Sequence, residues 1–440
     1  MERREVAPRA GWRETVEQQG LVYWETDLPD GTMMPYWTDG AYYAFTAAEA
    51  DRVERATNEL LQMCVTAGDH IIERNWFARM GIPEWAEARI RETWESEPPM
   101  LYGRFDLAFD GTDLKVLEFN ADTPTGLVES AVCQWFWAQD QFPDRDQFNT
   151  VHEALIARWS ELRAAGRLPG DEVHFTWTTA ETSGEDLMTV GYLLETAKQA
   201  GLTCHLLPVD AIGWNDSAGF LDQEGRRIRT LFKLYPWEWM VNETYGPRAL
   251  KRMGTDVGET QWIEPIWKML WSNKGLLVAL WECFPDHPYL LPAYFAEDAP
   301  TDLDAYVVKP LLAREGANAK IVAPGAKVLD EGPDQGYGEE GFVVQAYVEL
   351  PTFPYDGPGS TGLTRPVLGS WVVDMAAAGI GIRESDGLIT NNLSRFVPHL
   401  IEPSSSTARN GPSGSGISFT APPLATTSSS VRATDPRPSS

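Results

Sequence analysis

Cysteine is scarce. The chain has four in 440 residues (Cys64, Cys133, Cys204 and Cys283), and no two are close enough in sequence for a metal-ligand motif. That spacing excludes a zinc ribbon and a disulfide scaffold, and leaves reduced, mostly buried thiols in a cytoplasmic protein as the expectation. No run of about 18 apolar residues occurs, so no membrane span is expected. Met1 to Pro8 shows no apolar stretch of signal-peptide type. Basic residues are short as well: 36 Lys and Arg stand against 64 Asp and Glu, a formal charge of −28. So acidic a chain is a poor partner for nucleic-acid phosphates, whereas it would raise the local concentration of a cationic substrate such as a polyamine. What is plentiful is packing material. Apolar residues make up 43% of the chain, with 18 Trp and 17 Phe, which implies a well-packed globular protein of one large domain or two to three lobes.

Local signals divide the chain. Thr46 with Glu49 three residues on is a capping box, and Val53, Ala56, Leu60 and Cys64 follow at helical spacing, with Gly68 as the expected end. A second helix is expected over 83–97, closed by Pro98-Pro99. Between 170 and 214 the pattern is strand–helix–strand, one βαβ unit of a small α/β lobe. Residues 263–280 read as one apolar helix around Lys268 and Lys274. Residues 306–310, 342–348 and 366–373 read as strands rich in β-branched residues. From Pro403 the chain is Ser, Thr, Pro and Gly with almost no large apolar side chain, so 403–440 is expected to be a disordered tail.

The most informative stretch runs from Tyr102 to Thr125. Two apolar runs flank Asp110-Gly-Thr-Asp113, a β-hairpin signature. With a three-residue loop, Asp106 lies opposite Glu118 and Arg104 opposite Asn120, and Leu114, Val116, Glu118 and Asn120 share one face. A one-residue slip would set Glu118 against Phe105 on an apolar face, at high cost. One sheet face then carries two carboxylates, an amide oxygen and a guanidinium. Oxygen-only ligands of this kind suit Mg²⁺ shared with nucleotide phosphates, and the planar fork of Arg104 matches the same phosphates. Lys309 ends a strand at Pro310 and can also reach phosphates, and the loop 313–318 that follows reads as a lid over them. Lys274, within Ser272-Asn-Lys-Gly275, is a further phosphate candidate.

Several motifs carry a family resemblance. Arg104-Phe-Asp106, Leu117-Glu-Phe-Asn120-Ala-Asp-Thr123-Pro-Thr125, Trp237-Glu238, Glu264 to Lys274, Tyr306-Val-Val-Lys-Pro310 and Gly381-Ile-Arg383 recur in order. Together they resemble the synthetase domain of glutathionylspermidine synthase, over nearly the whole of 1–402. The resemblance implies an α+β ATP-grasp fold with a helical N-terminal region, a pre-ATP-grasp-like α/β lobe at 170–214 and ATP-grasp lobes at 262–400. It implies an ATP- and Mg²⁺-dependent ligase that joins an acid to an amine through an acyl phosphate. In that scheme Asp106, Glu118 and Asn120 hold Mg²⁺, and Arg104 stabilises the transferred phosphoryl group. Arg104, Lys274, Lys309, Gln345 and Arg383 contact ATP, while Thr123, Thr125, Glu238 and Lys268 contact the acid substrate. Lys268 stands where the family bears a hydroxyl, and Thr123 and Thr125 replace serines. The expected substrates are a peptide-like acid and a polyamine-like amine, with glutathione and spermidine as the narrow alternative. The region starts almost at Met1, which leaves no expected room for the amidase domain of bifunctional members. Two other readings stay open: a non-catalytic ATP- or polyamine-binding protein, and a glycoside hydrolase using Asp106 and Glu118 as its carboxylate pair.

Overall fold

The computed structural model describes residues 1–403 except 28–32, 182, 250–258, 326, 358–359 and 361. The expected 403–440 tail therefore lies outside the described residues, Pro403 apart. Three sheets organise the rest. A six-stranded antiparallel sheet contains the hairpin strands Tyr102–Phe109 and Leu114–Asn120 beside Gly362–Val373 and Ala376–Ser385. A five-stranded antiparallel sheet has Phe342–Ala346 and Tyr306–Pro310 as neighbouring inner strands. The third sheet is four-stranded and parallel. Its βαβ unit is Glu172–Trp177, the helix Glu185–Gln199 and Thr203–Pro208, as the sequence pattern requires. Thr230–Leu234 and Gln261–Ile263 extend this sheet well past residue 214. Among the described residues no helix is long and apolar enough to cross a membrane.

The largest core packs the helix Ala47–Glu73 and the apolar face of the hairpin together. The Thr46–Glu49 capping box is present. The helix does not stop at Gly68, however, and continues to Glu73. Gly68 is a packing notch, because a Cβ there would sit 2.1 Å from the ring of Trp94 on the helix Glu84–Ser96. The single helix expected over 263–280 is also broken. Ile263 ends a strand, Ile266–Lys268 is a 3₁₀ turn, and Met269–Ser272 and Gly275–Cys283 are separate helices. Asn273 makes the break: extended at ψ 138°, it donates to the Met80 carbonyl and accepts from the Gly275 amide. All four cysteines are free thiols.

The hairpin has a register that its turn alone would not give. Phe109, Ala108 and Leu107 pair with Leu114, Lys115 and Val116, which makes the loop four residues long. Continued unchanged, that register would set Glu118 against Phe105. Instead the pairing shifts between Asp106 and Leu107, so that Leu117 is the extra residue of a β-bulge. Beyond it Asp106 faces Glu118 and Arg104 faces Asn120. The expected pairs are therefore present, but the expected common face is not: Leu114 and Val116 turn into the core while Glu118 and Asn120 face the other way. Below the site, Phe105 and Phe119 stack with centroids 3.9 Å apart, both buried. Phe105→Ala should cost about 3–5 kcal/mol of unfolding free energy by denaturant titration; a loss well under that would mean the core closes around the gap.

Candidate active site

Arg104 and Asp106 are two residues apart on an inner strand, hence on one face, and both are buried. Arg104 grips Asp106 through two hydrogen bonds, Nε to Oδ1 at 2.6 Å and Nη2 to Oδ2 at 3.1 Å. Its Nη1 donates to the Thr125 carbonyl at 2.5 Å. The neighbouring strand supplies the bed: Gly369 lies opposite Asp106 and Trp371 opposite Arg104. The guanidinium sits 5.6 Å from the Trp371 ring centroid. Asn120 turns its Nδ2 to Glu118 Oε1 at 3.2 Å, with Asp106 Oδ2 at 3.5 Å, and Arg383 approaches Asp106 to 3.7 Å.

The basic residues come from three directions. Lys309 reaches from the five-stranded sheet and donates to the Leu117 carbonyl at 2.9 Å and to Gln345 Oε1 at 2.7 Å. Gln345 in turn donates to the Val116 carbonyl at 3.1 Å. Lys274, placed by the break at Asn273, lies 3.4 Å from Glu118 and donates to the Ala313 carbonyl. Burial would push the Glu118 carboxyl up, but Lys274 and Lys309 outweigh it and hold the group at about 2. Burial pulls the Lys309 ammonium down to about 8, with Glu118 opposing and Lys274 adding to the shift.

Two clefts meet here, sharing Glu118, Lys274 and Ala313. The larger, about 880 Å³, combines Asp106, Lys309 and Arg383 at one end with an apolar part that includes Val307, Ile321 and Leu350. The smaller, about 470 Å³, is lined by Asn120, Asp122, Thr123, Glu238, Lys274 and Arg314 among others. Arg314, on the loop 311–319, donates to Thr123 Oγ1 at 2.6 Å and pairs with Glu238. The loop expected as a lid thus borders both clefts and is tethered by this arginine.

Most of the residues expected at a site do converge, with one clear exception. Lys268 is buried, pairs with Glu264 at 2.6 Å and donates to the Tyr102 carbonyl at 2.6 Å, and it lines neither cleft. Its apolar helical setting hid this partner four residues earlier, and a substrate-contacting role is withdrawn. Gln345 is present, yet its side-chain amide is engaged by protein atoms at both ends.

Sequence reasoning also missed residues. Arg314 was passed over as part of a flexible loop. Asp122 is fully buried with Lys233 at 2.6 Å and accepts the Trp237 amide at 2.9 Å, which anchors the short helix bearing Glu238. Beside Thr125 stands an acidic group. Burial, helped by Glu129, pushes the Glu185 carboxyl up to about 7. Burial, helped by Glu181, pushes Asp186 to about 7 as well. Buried Glu129 accepts from Tyr36 at 2.5 Å and Tyr23 at 3.3 Å, and its Oε2 has no partner among the described residues. Only tertiary structure brings these carboxyls together.

A family model described as glutathionylspermidine synthase preATP-grasp matches residues 3–402. The chain belongs to the glutathionylspermidine synthase family. A Haemophilus influenzae protein provisionally named an acid–amine ligase is 40% identical over 393 residues, covering 87% of this chain and 95% of that one. The family relatives include the bifunctional glutathionylspermidine synthetase/amidase of Escherichia coli, 28% identical over 66% of this chain. They also include the trypanothione synthetase of Crithidia fasciculata, 27% identical over 72% of this chain. This chain spans about half the length of those two, 49% in each case. The fold is similar to that of a glutathione synthetase-like effector from Globodera pallida, with TM-score 0.50, 9% identity, and coverage of 90% of this chain and 98% of that one.

The bed beneath Arg104 can be tested directly. A Cβ on Gly369 would lie 2.8 Å from Arg104 Cδ. Gly369→Ala should therefore lower stability by about 1–3 kcal/mol and push the guanidinium off Asp106. An unchanged denaturation midpoint, with the two Arg104–Asp106 hydrogen bonds intact in a crystal structure, would refute this.

Proposed function

We propose that this family member is an ATP- and Mg²⁺-dependent acid–amine ligase of ATP-grasp type. The observation that carries the reading is the meeting of two clefts at Glu118 and Lys274. One is built for a phosphorylated ligand and the other for a small polar one. The donor set fits the groups. Asp106, Glu118 and Asn120 offer hard oxygens suited to Mg²⁺, and a cleft with an apolar part and a cationic end suits a nucleotide.

ATP, when bound, supplies the phosphoryl group that activates the acid as an acyl phosphate. The chain's own residues position and neutralise. Arg104, held rigidly on Asp106 and Trp371, presents donors where charge develops. Lys309, Lys274 and Arg383 offset phosphate charge. Thr123 and Glu238, with Arg314 between them, orient the acid, and Thr125 fixes Arg104 through its carbonyl. Glu185, Asp186 and Glu129 form an acidic side with Arg383 and Arg314 as the nearby cations, which favours a polyamine-like amine. The acid is read as peptide-like. With Lys268 buried, that residue no longer separates this chain from the narrow reading of glutathione plus spermidine. A glycosidase would need one carboxyl raised to act as an acid, whereas Glu118 is held low by two lysines.

The test is ADP release from Mg-ATP across a panel of acids, with and without polyamines. Turnover should require both an acid and an amine and should be lost in Asn120→Ala. ATP turnover indifferent to any amine would refute a ligase. Arg104→Ala should lower kcat about 10²–10³-fold; an effect confined to KM for ATP would assign it to binding alone. The acidic side gives a pH signature. Glu185 and Asp186 lose charge as pH falls through about 7, so KM for the polyamine should rise several-fold as pH falls from about 8 to about 6. Glu185→Gln with Asp186→Asn should flatten that profile, and an unchanged profile would remove these carboxyls from the amine's path.

A further inference from the structure

The residues that grip the hairpin bulge assign Gln345 a role other than contact with nucleotide. We infer that Gln345 is a positioning residue whose amide locks the bulge at Leu117 and so aims Glu118 and Asn120 at the metal site. The inference rests on the reading of Glu118 and Asn120 as metal ligands.

Three observations carry it. First, the hairpin reaches the bulge in a register that would set Glu118 against Phe105, and only the extra residue Leu117 restores Glu118 opposite Asp106. Second, the strand that bulges is the outer strand of its sheet, and its freed carbonyls are taken by side chains of the other sheet. Val116 O accepts from Gln345 Nε2 at 3.1 Å, and Leu117 O accepts from Lys309 Nζ at 2.9 Å. Third, Gln345 Oε1 accepts from the same ammonium at 2.7 Å, closing a ring of amide, ammonium and bulge backbone.

A carboxamide can donate to the carbonyl through its nitrogen and accept from the lysine through its oxygen at once. Gln345 is suited to the task because its backbone is held on both sides. It is buried, and its strand is paired on both sides, opposite Val307 and Ala293. A ladder fixed in this way transmits the position of the five-stranded sheet to the metal-facing pair on the other sheet. Residues behind a metal site that orient its ligands act in the same manner.

The experiment compares Gln345→Met, which keeps length and neutrality but loses both hydrogen bonds, with Gln345→Leu and the unaltered chain. Two bindings are read: ATP without divalent metal, by calorimetry, and Mn²⁺ in the presence of saturating ATP, by electron paramagnetic resonance. The expected result is metal-free ATP affinity kept within about threefold and Mn²⁺ affinity weakened about tenfold or more. Equal losses in both, or unchanged Mn²⁺ affinity, would overturn the positioning role. Hydrogen exchange keeps the two readings separate. In both variants the amides of 116–120 should exchange faster while the Phe105 side of the sheet stays protected, and unchanged exchange at 116–120 overturns the inference whatever binds. If the unaltered chain binds no ATP while exchange at 116–120 responds as expected, the proposed function fails and the bulge lock stands.

Discussion

Glu118 and Asn120 face the two clefts because their strand carries a residue more than its partner. The bulge at Leu117 reverses the alternation of faces midway along the strand. Before it, Leu114 and Val116 enter the core; after it, Glu118 and Asn120 face the site and Phe119 takes the core position. The freed backbone is not left unpaired. Tyr289 accepts the Val116 amide at 2.9 Å, and Gln345 and Lys309 take the two carbonyls. One irregularity thus docks two sheets, sets the face of Glu118 and Asn120 and anchors a lysine, which is why the rest of the site follows from it.

Charge is distributed unevenly around this point, and the asymmetry gives the site a direction. On the side of the larger cleft, Arg104, Lys274, Lys309 and Arg383 surround Asp106 and Glu118, a local excess of positive charge suited to phosphates. Burial alone would raise the Glu118 carboxyl, and the two lysines bring it down again. On the side of Thr125, burial raises Glu129, Glu185 and Asp186, and neighbouring acids add to the rise of Glu185 and Asp186. A cation arriving there lowers the energy of several carboxyls at once. The region between these fields is where an activated acid and an amine would meet.

How much of this the sequence disclosed follows from the range of each interaction. The capping box, the βαβ unit and the side chains facing the site from the hairpin are encoded within a few residues, so period and turn chemistry exposed them. The bulge was not legible, because a slip of one and an extra residue of one cancel: the right pairs came from the wrong loop length. Gly68 looked like a helix stop because its reason, the Trp94 ring, lies on another helix. Lys268 looked available because its partner Glu264 and the Tyr102 carbonyl come together only when the helix expected at 263 gives way to a strand and a 3₁₀ turn. Arg314 and the acidic group beside Thr125 depend on contacts more than 50 residues apart in sequence, beyond any local pattern.

The loop 311–319 joins these strands of argument. It follows the Lys309 strand, borders both clefts and holds left-handed residues at Glu315, Gly316 and Asn318. Its tether is not on its own sheet: Arg314 reaches Thr123, three residues beyond Asn120, and Glu238, whose helix is fixed by Asp122. Both tether points belong to the smaller cleft, while the loop's far side covers the larger one. Anything that displaces Arg314 from Thr123 and Glu238 in one cleft therefore changes the cover over the other. A carboxylate is the natural competitor for that guanidinium, since it offers the same bidentate geometry as Glu238. In the proposed ligase, the acid and the nucleotide would thus be linked through one arginine on this loop.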